Sequence, residues 1–142
     1  GVAAEVLFFY FQNKVLSRID SEIVLQGAFG IGVVRFILIA FFPTTIVLML
    51  AQLMHAGTFA AHHSAATKLL QRWFTGPLQA RGQAIMATVS YGLGGTIGGL
   101  CAGWIWDLFQ PRDVFVMSAL ACGIAGMAIQ KLRPRRYPHR KS

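Results

Sequence analysis

Residues 84–106 read AIMATVSYGLGGTIGGLCAGWIW, a stretch without a single Asp, Glu, Lys or Arg. The hydrocarbon core of a bilayer is about 30 Å thick, and a helix rising about 1.5 Å per residue crosses it in roughly 20 apolar residues. The stretch therefore predicts a membrane-spanning helix. Within it Gly95, Gly99 and Gly103 recur every fourth residue, with Gly94 and Gly98 beside them. One face is nearly bare of side chains, and small residues at that spacing let a neighbouring backbone approach closely. Gly95, Gly99 and Gly103 are thus expected to be helix-packing residues. Gly99→Leu is expected to disrupt association, and Gly82→Leu, outside the span, to be milder. A phosphate-binding glycine loop is excluded, because no strand precedes the run and no lysine follows at the required offset.

Working outward, three further windows have the length and polarity of spans: residues 23–42 with the single charge Arg35, residues 44–67 with no charge beyond His55, His62 and His63, and residues 114–130. Residues 1–12 are apolar apart from Glu5 and Gln12 but reach only about 18 Å, so they read as a truncated fifth segment. The 142-residue chain is 55% hydrophobic and 13% charged, where a soluble domain carries about a quarter charged residues. The expected class is all-α membrane, because backbone polar groups in lipid must bond internally and the long apolar runs do not alternate as barrel strands would. Pro43, Gly76-Pro77 and Pro111 mark the turns. Trp73, Trp104 and Trp106 fall near the expected interfaces, where indole rings anchor.

A net charge of +8 could suggest nucleic acid, but its placement points to the bilayer. If the segments alternate, Lys14, Arg18, Lys68, Arg72, Arg81 and all six basic residues of the tail 131–142 share one side. Only Arg112 lies opposite, and Arg35 lies within a span. By the positive-inside rule this side is cytoplasmic, which makes the C-terminus cytoplasmic in a multi-pass protein of the cell membrane. Anionic headgroups of the lipid bilayer are natural partners for that tail; nucleic acid is not. Cys101 and Cys122 both lie in spans and are expected to pack as small apolar residues.

Ionisable groups inside a membrane cost several kcal/mol and need a reason to be there. Counted from the cytoplasmic ends of their helices, Arg35 and His55 each lie about 18 Å deep and Glu5 about 12 Å. The three therefore predict a shared polar site, with a structural Glu5–Arg35 ion pair as the alternative. Gln52, His55 and Thr58 follow at helical spacing and continue through Phe59 and His62 as one stripe, which must face protein or water. His55 and His62 are about 10.5 Å apart along the axis, too far for one metal ion, and no nucleophile has an identifiable base. Neither a metal, a cofactor nor an enzymatic activity is expected.

At this point the residues resemble a family. Ala51-Gln52-Leu53-Met54-His55-Ala56-Gly57-Thr58-Phe59, with His63 beyond, is similar to the tenth helix of the phenylpropionate-permease-like group of the Major Facilitator Superfamily. The stretches 78–84, 91–95 and 103–107 resemble its eleventh helix, Gly1-Val2-Ala3-Ala4-Glu5 its eighth and Val34-Arg35-Phe36 its ninth, although relatives often carry Trp at the position of Phe36. The resemblance implies a proton-coupled symporter of a small organic solute, built of twelve helices in two six-helix halves. This chain would be a fragment supplying most of the last five helices, partnered by a missing N-terminal half. The group is also similar to lactose permease, in which a membrane Glu, Arg and His serve sugar binding and proton coupling, so the resemblance implies such roles for Glu5, Arg35 and His55. Thr58 stands where lactose permease has a carboxylate, which leaves the proton carrier unassigned by likeness. Efflux by antiport, and a non-transporting scaffold or receptor-like half, are the competing readings.

Overall fold

The computed structural model describes Tyr10 and residues 19–132; Glu5 and the tail beyond residue 132 lie outside the described residues. Helix α1, Ser21–Phe41, starts where the Asp20 carbonyl accepts the N–H groups of Ile23 and Val24 at 2.9 and 3.1 Å. It stops short of Pro43, whose ring disfavours helix in the residue before it. The Thr44 hydroxyl accepts the Val47 N–H at 3.4 Å and caps α2, Thr45–Trp73. The chain then turns at Gly76, which has φ +59°, a region that suits glycine. Beyond it α3, Leu78–Met86, a π-helical turn, Ala87–Leu93, and α4, Gly94–Leu108, form one continuous span. Helix α5, Pro111–Leu132, opens with proline in its first turn, and the Asp113 carboxylate accepts the Gln110 N–H at 3.1 Å.

These give four helices long and apolar enough to cross a membrane, Ser21–Phe41, Thr45–Trp73, Leu78–Leu108 and Pro111–Lys131. The helices outrun the apolar windows: α2 continues six residues past Thr67, and α3 begins six before Ala84. The extensions carry Lys68, Gln71, Arg72, Gln79, Arg81 and Gln83, good helix formers that hydropathy alone does not count as span.

Helix α1 is the centre of the bundle and packs along both α2 and α5. The contact faces consist of small residues. On α2 the buried positions Ala56, Ala60 and Ser64 follow at intervals of four, with Ala60 fully enclosed. On α5, Gly123 and Gly126 pass close to Val33 and Phe29 of α1, while Cys122 Sγ lies 3.3 Å from where a Cβ on Gly32 would sit. With no hydrophobic effect to bring helices together in lipid, such close backbone approach supplies the van der Waals contact. Where α1 begins and α2 ends, Leu25, Ala65 and Leu69 form a buried apolar cluster, joined by Val24, Ala66 and Ile129.

The span Leu78–Leu108 lies at the edge of this bundle. A side chain added at Gly95, Gly99 or Gly103 would meet nothing within 4 Å, so the expected packing face touches none of the described residues. The expected ranking of the two leucine substitutions is reversed within this bundle. Gly82 is buried, and a Cβ there would stand 2.8 Å from two ring carbons of Phe74, whereas Gly99 is open. The cause is the turn at Gly76, which folds Phe74 back over α3.

Candidate functional site

Arg35 of α1 and His55 of α2 meet: Arg35 Nη1 donates to His55 Nδ1. A guanidinium has only donors and keeps its proton, so the accepting ring nitrogen must be bare and His55 carries its hydrogen on Nε2. The same guanidinium lies 4.3 Å from the centroid of the Phe36 ring, a cation–π distance, and its Nε is buried without a hydrogen-bond partner among the described residues. A fixed positive charge is thus held by one neutral ring and one aromatic face, with a donor left over.

Two small cavities open on either side of this pair. One, of about 200 Å³, is walled by Phe29, Gly32, Thr58, Phe59, His62 and Cys122. The other, of about 280 Å³, reaches Gln52, Leu48 and Phe115. Arg35, Phe36 and His55 line both. The structure therefore brings together Arg35, Gln52, His55 and Thr58 of the residues singled out in the sequence, and Glu5 lies outside the described residues. Thr58 is less available than its position suggests: its hydroxyl hydrogen is directed to the Met54 and His55 carbonyls of its own helix, at 2.8 and 3.1 Å, which leaves it to act as an acceptor.

Several residues in the walls carried no functional reading in the sequence. Phe29 meets His62 edge-on at 5.3 Å, and Cys122 enters the cavity opposite Gly32. Phe29, Gly32 and Phe36 share the α1 face of Arg35 at helical spacing, a period that could have identified them. Nothing in the sequence around Cys122 distinguishes it from a packing residue. Further along α2, His63 Nδ1 and the Tyr91 hydroxyl stand 2.8 Å apart, a polar side-chain contact between α2 and the span that follows it.

A larger cavity, about 580 Å³, lies towards the end of the bundle where α1 begins and α2 ends, between Leu25, Leu69, Trp73, Met86 and Val89, beside Glu22, whose carboxylate is 4.0 Å from Arg72. Its walls are mostly apolar, with Glu22 and Ser90 the polar exceptions, and offer no cation in the lining to meet an anionic solute, whereas the Arg35–His55 pair does. Among the described residues no three His, Cys, Asp or Glu side chains gather as a metal ion would require.

Comparison with known proteins agrees with this architecture. The model of the MFS_1 like family matches residues 1–117. The chain is 28% identical over 138 residues to a protein of Escherichia coli (strain K12) described as "Probable 3-phenylpropionic acid transporter". That alignment takes in 97% of this chain and 35% of the relative, so the chain spans about a third of the relative's length. No solved structure matches it.

Proposed function

Because the chain belongs to the MFS_1 like family, we propose that it forms part of a membrane transporter, not an enzyme, that moves a small aromatic carboxylic acid by proton-coupled symport. The observation that carries this reading is the Arg35 guanidinium, with a buried Nε that has no partner among the described residues, opening onto a cavity walled by aromatic rings. A guanidinium presents several donors in one plane and suits a carboxylate better than any other side chain. Phe29, Phe36 and Phe59 offer faces and edges to a ring, and both cavities fall below the roughly 300–1,000 Å³ of drug-sized sites, a scale fit for a small solute. The relative's described solute, 3-phenylpropionic acid, has both chemical features.

In this reading Arg35 is the fixed counter-charge, since it cannot readily give up its proton. His55 orients the guanidinium through Nδ1 and lines the site beside it. Thr58 accepts and Gln52 lines the opposite approach. Glu5 is the group that gains and loses the proton, because a carboxylate leaving water holds its proton while a neighbouring Arg favours the ionised form. Helices encoded upstream supply the facing half, as the solute of such transporters binds between repeats near the midplane. The basic tail lies in the cytoplasm.

The test uses the complete protein in proton-tight vesicles with labelled 3-phenylpropionate. Loss of a charge-assisted hydrogen bond corresponds to about a 10- to 100-fold change, so Arg35→Gln is expected to raise the half-saturating concentration by that factor. Saturation at the parent's concentration would place the site elsewhere. Collapsing the proton gradient is expected to stop accumulation but spare exchange, whereas accumulation only under an outwardly directed proton gradient would make the protein an antiporter.

A further inference from the structure

The span Leu78–Leu108 leaves α-helical hydrogen bonding at one place, Ala87–Leu93, where the turns widen and the Gly94 N–H reaches back five residues to the Val89 carbonyl. A π-helical turn holds an extra residue at poorer geometry, so it persists where something else favours it. Two features do so here. Gly94 has no side chain to obstruct the turn, since a Cβ there would stand 3.3 Å from the Val89 oxygen. Tyr91, inside the turn, places its hydroxyl 2.8 Å from His63 Nδ1 on α2.

That contact is connected to the site. His63 lies over Phe59 with centroids 6.4 Å apart and planes 15° off parallel, and Phe59 approaches the His55 ring at 5.9 Å. Tyr91 completes the row, 6.2 Å from His63. Four rings thus run from the Arg35–His55 pair to the π turn. Helix α2 and the Leu78–Leu108 span otherwise touch mainly at the α3 end, so the outer half of that span is held to α2 by little else among the described residues.

We propose that the Tyr91–His63 hydrogen bond is a latch that holds this span in its π register, and that its opening lets the turn relax to α-helix and rotate the outer half, Gly94–Leu108, against α2. Absorbing one residue into an α-helix turns everything beyond it by about 100° and shifts it by about 1.5 Å. At a radius of about 5–6 Å a side chain on α4 then moves by about 8 Å. The rotation swings the Gly95, Gly99 and Gly103 face and the rings of Trp104 and Trp106 together. The register therefore decides which surface α4 presents to its neighbours, and the ring row makes that choice sensitive to the state of the Arg35–His55 pair. The latch does not depend on the identity of the solute.

The test measures register directly. In the complete protein, with other cysteines replaced, spin labels are attached at Cys101 on α4 and at Met49→Cys, an exposed position in the outer half of α2. Distances are recorded by pulsed electron resonance in lipid nanodiscs. Tyr91→Phe, which keeps the ring and removes the hydroxyl, is expected to populate a second distance displaced by several ångströms, with the ratio of populations changed about five-fold, the effect of one hydrogen bond. His63→Phe removes the same bond from the other side and carries the same expectation. His63→Asn, whose side-chain oxygen falls near the place of Nδ1, is expected to keep the parent distribution. An unchanged distribution in Tyr91→Phe and His63→Phe overturns the latch, and so does an equal shift in His63→Asn. Because the readout is a distance, it stands whether or not Arg35 proves to bind the solute.

Discussion

Gly82→Ala adds one methyl group at a place where the structure leaves no room for it. The new Cβ would lie 2.8 Å from Cγ and Cδ2 of Phe74 and 3.2 Å from its Cβ, against a comfortable carbon–carbon separation of about 3.5–4.0 Å. Rotating the ring about χ1 relieves the first two contacts but leaves the third, so the backbone of residues 74–77 must move as well. That segment is poorly able to move: Phe74 N–H is bonded to the Leu70 carbonyl at 2.8 Å, Gly76 sits at φ +59°, and Pro77 is locked by its ring. Overpacking of this kind costs about 1–3 kcal/mol, and the gain in helix propensity from Gly to Ala offsets about 1 kcal/mol of it. Gly99→Ala has the same propensity gain and nothing within 4 Å to oppose it among the described residues. The two alanine variants should therefore differ by about 1–3 kcal/mol, with Gly82→Ala the less stable. Apparent melting of the detergent-solubilised complete protein ranks them, and Phe74→Ala in the Gly82→Ala background should remove most of the difference, because the two residues share one volume. The reasoning fails if Gly82→Ala melts at or above Gly99→Ala, or if trimming Phe74 leaves the difference between them unchanged.

Other expectations follow from the same geometry. Gly76→Ala should cost about 1–2 kcal/mol through its left-handed backbone, and Gly76→Asn less, as measured by the same melting assay. Ala60→Leu forces a branched side chain into a fully enclosed position between helices and should abolish the folded protein in membranes, while Ile97→Ala, 60% exposed on α4, should leave the yield unchanged. Maleimide should label Cys122 several-fold more slowly when 3-phenylpropionate is present and Cys101 at an unaltered rate, because only Cys122 lines the cavity of Arg35. Glu5→Gln should abolish proton-driven accumulation while sparing exchange; accumulation with normal proton stoichiometry would move coupling to another residue.

What was legible in the sequence, and what was not, divides along the axis of each helix. Depth is linear in residue number, so counting 1.5 Å per residue put Arg35 and His55 at one level, and the structure joins them by a hydrogen bond. Helix ends were legible where chemistry enforces them, at Pro43, Gly76 and Pro111, and illegible where Lys68 to Trp73 carry α2 on through polar residues that the apolar count ignores.

The direction a side chain takes around its helix is another matter. In water a helix declares its buried face by the period of its apolar residues, but in lipid both faces are apolar and the period vanishes. What remains is residue size, and size alone does not choose between patterns: glycine at 95, 99 and 103 is the more conspicuous, while alanine and serine at 56, 60 and 64 are the residues enclosed between the described helices. Both patterns permit close approach, and only the partner decides which is used. For α2 that partner is α1, within the described chain; for the face at 95, 99 and 103 no partner lies within it. The π turn was hidden for a related reason. Its i to i−5 hydrogen bonds replace α-helical ones of similar composition, so nothing in ATVSYGL sets it apart from an ordinary helix except the glycines that follow. It becomes visible only when Tyr91 is seen to reach His63, twenty-eight residues earlier in the chain. A membrane sequence thus states how deep its polar groups lie, and leaves to packing which of them meet.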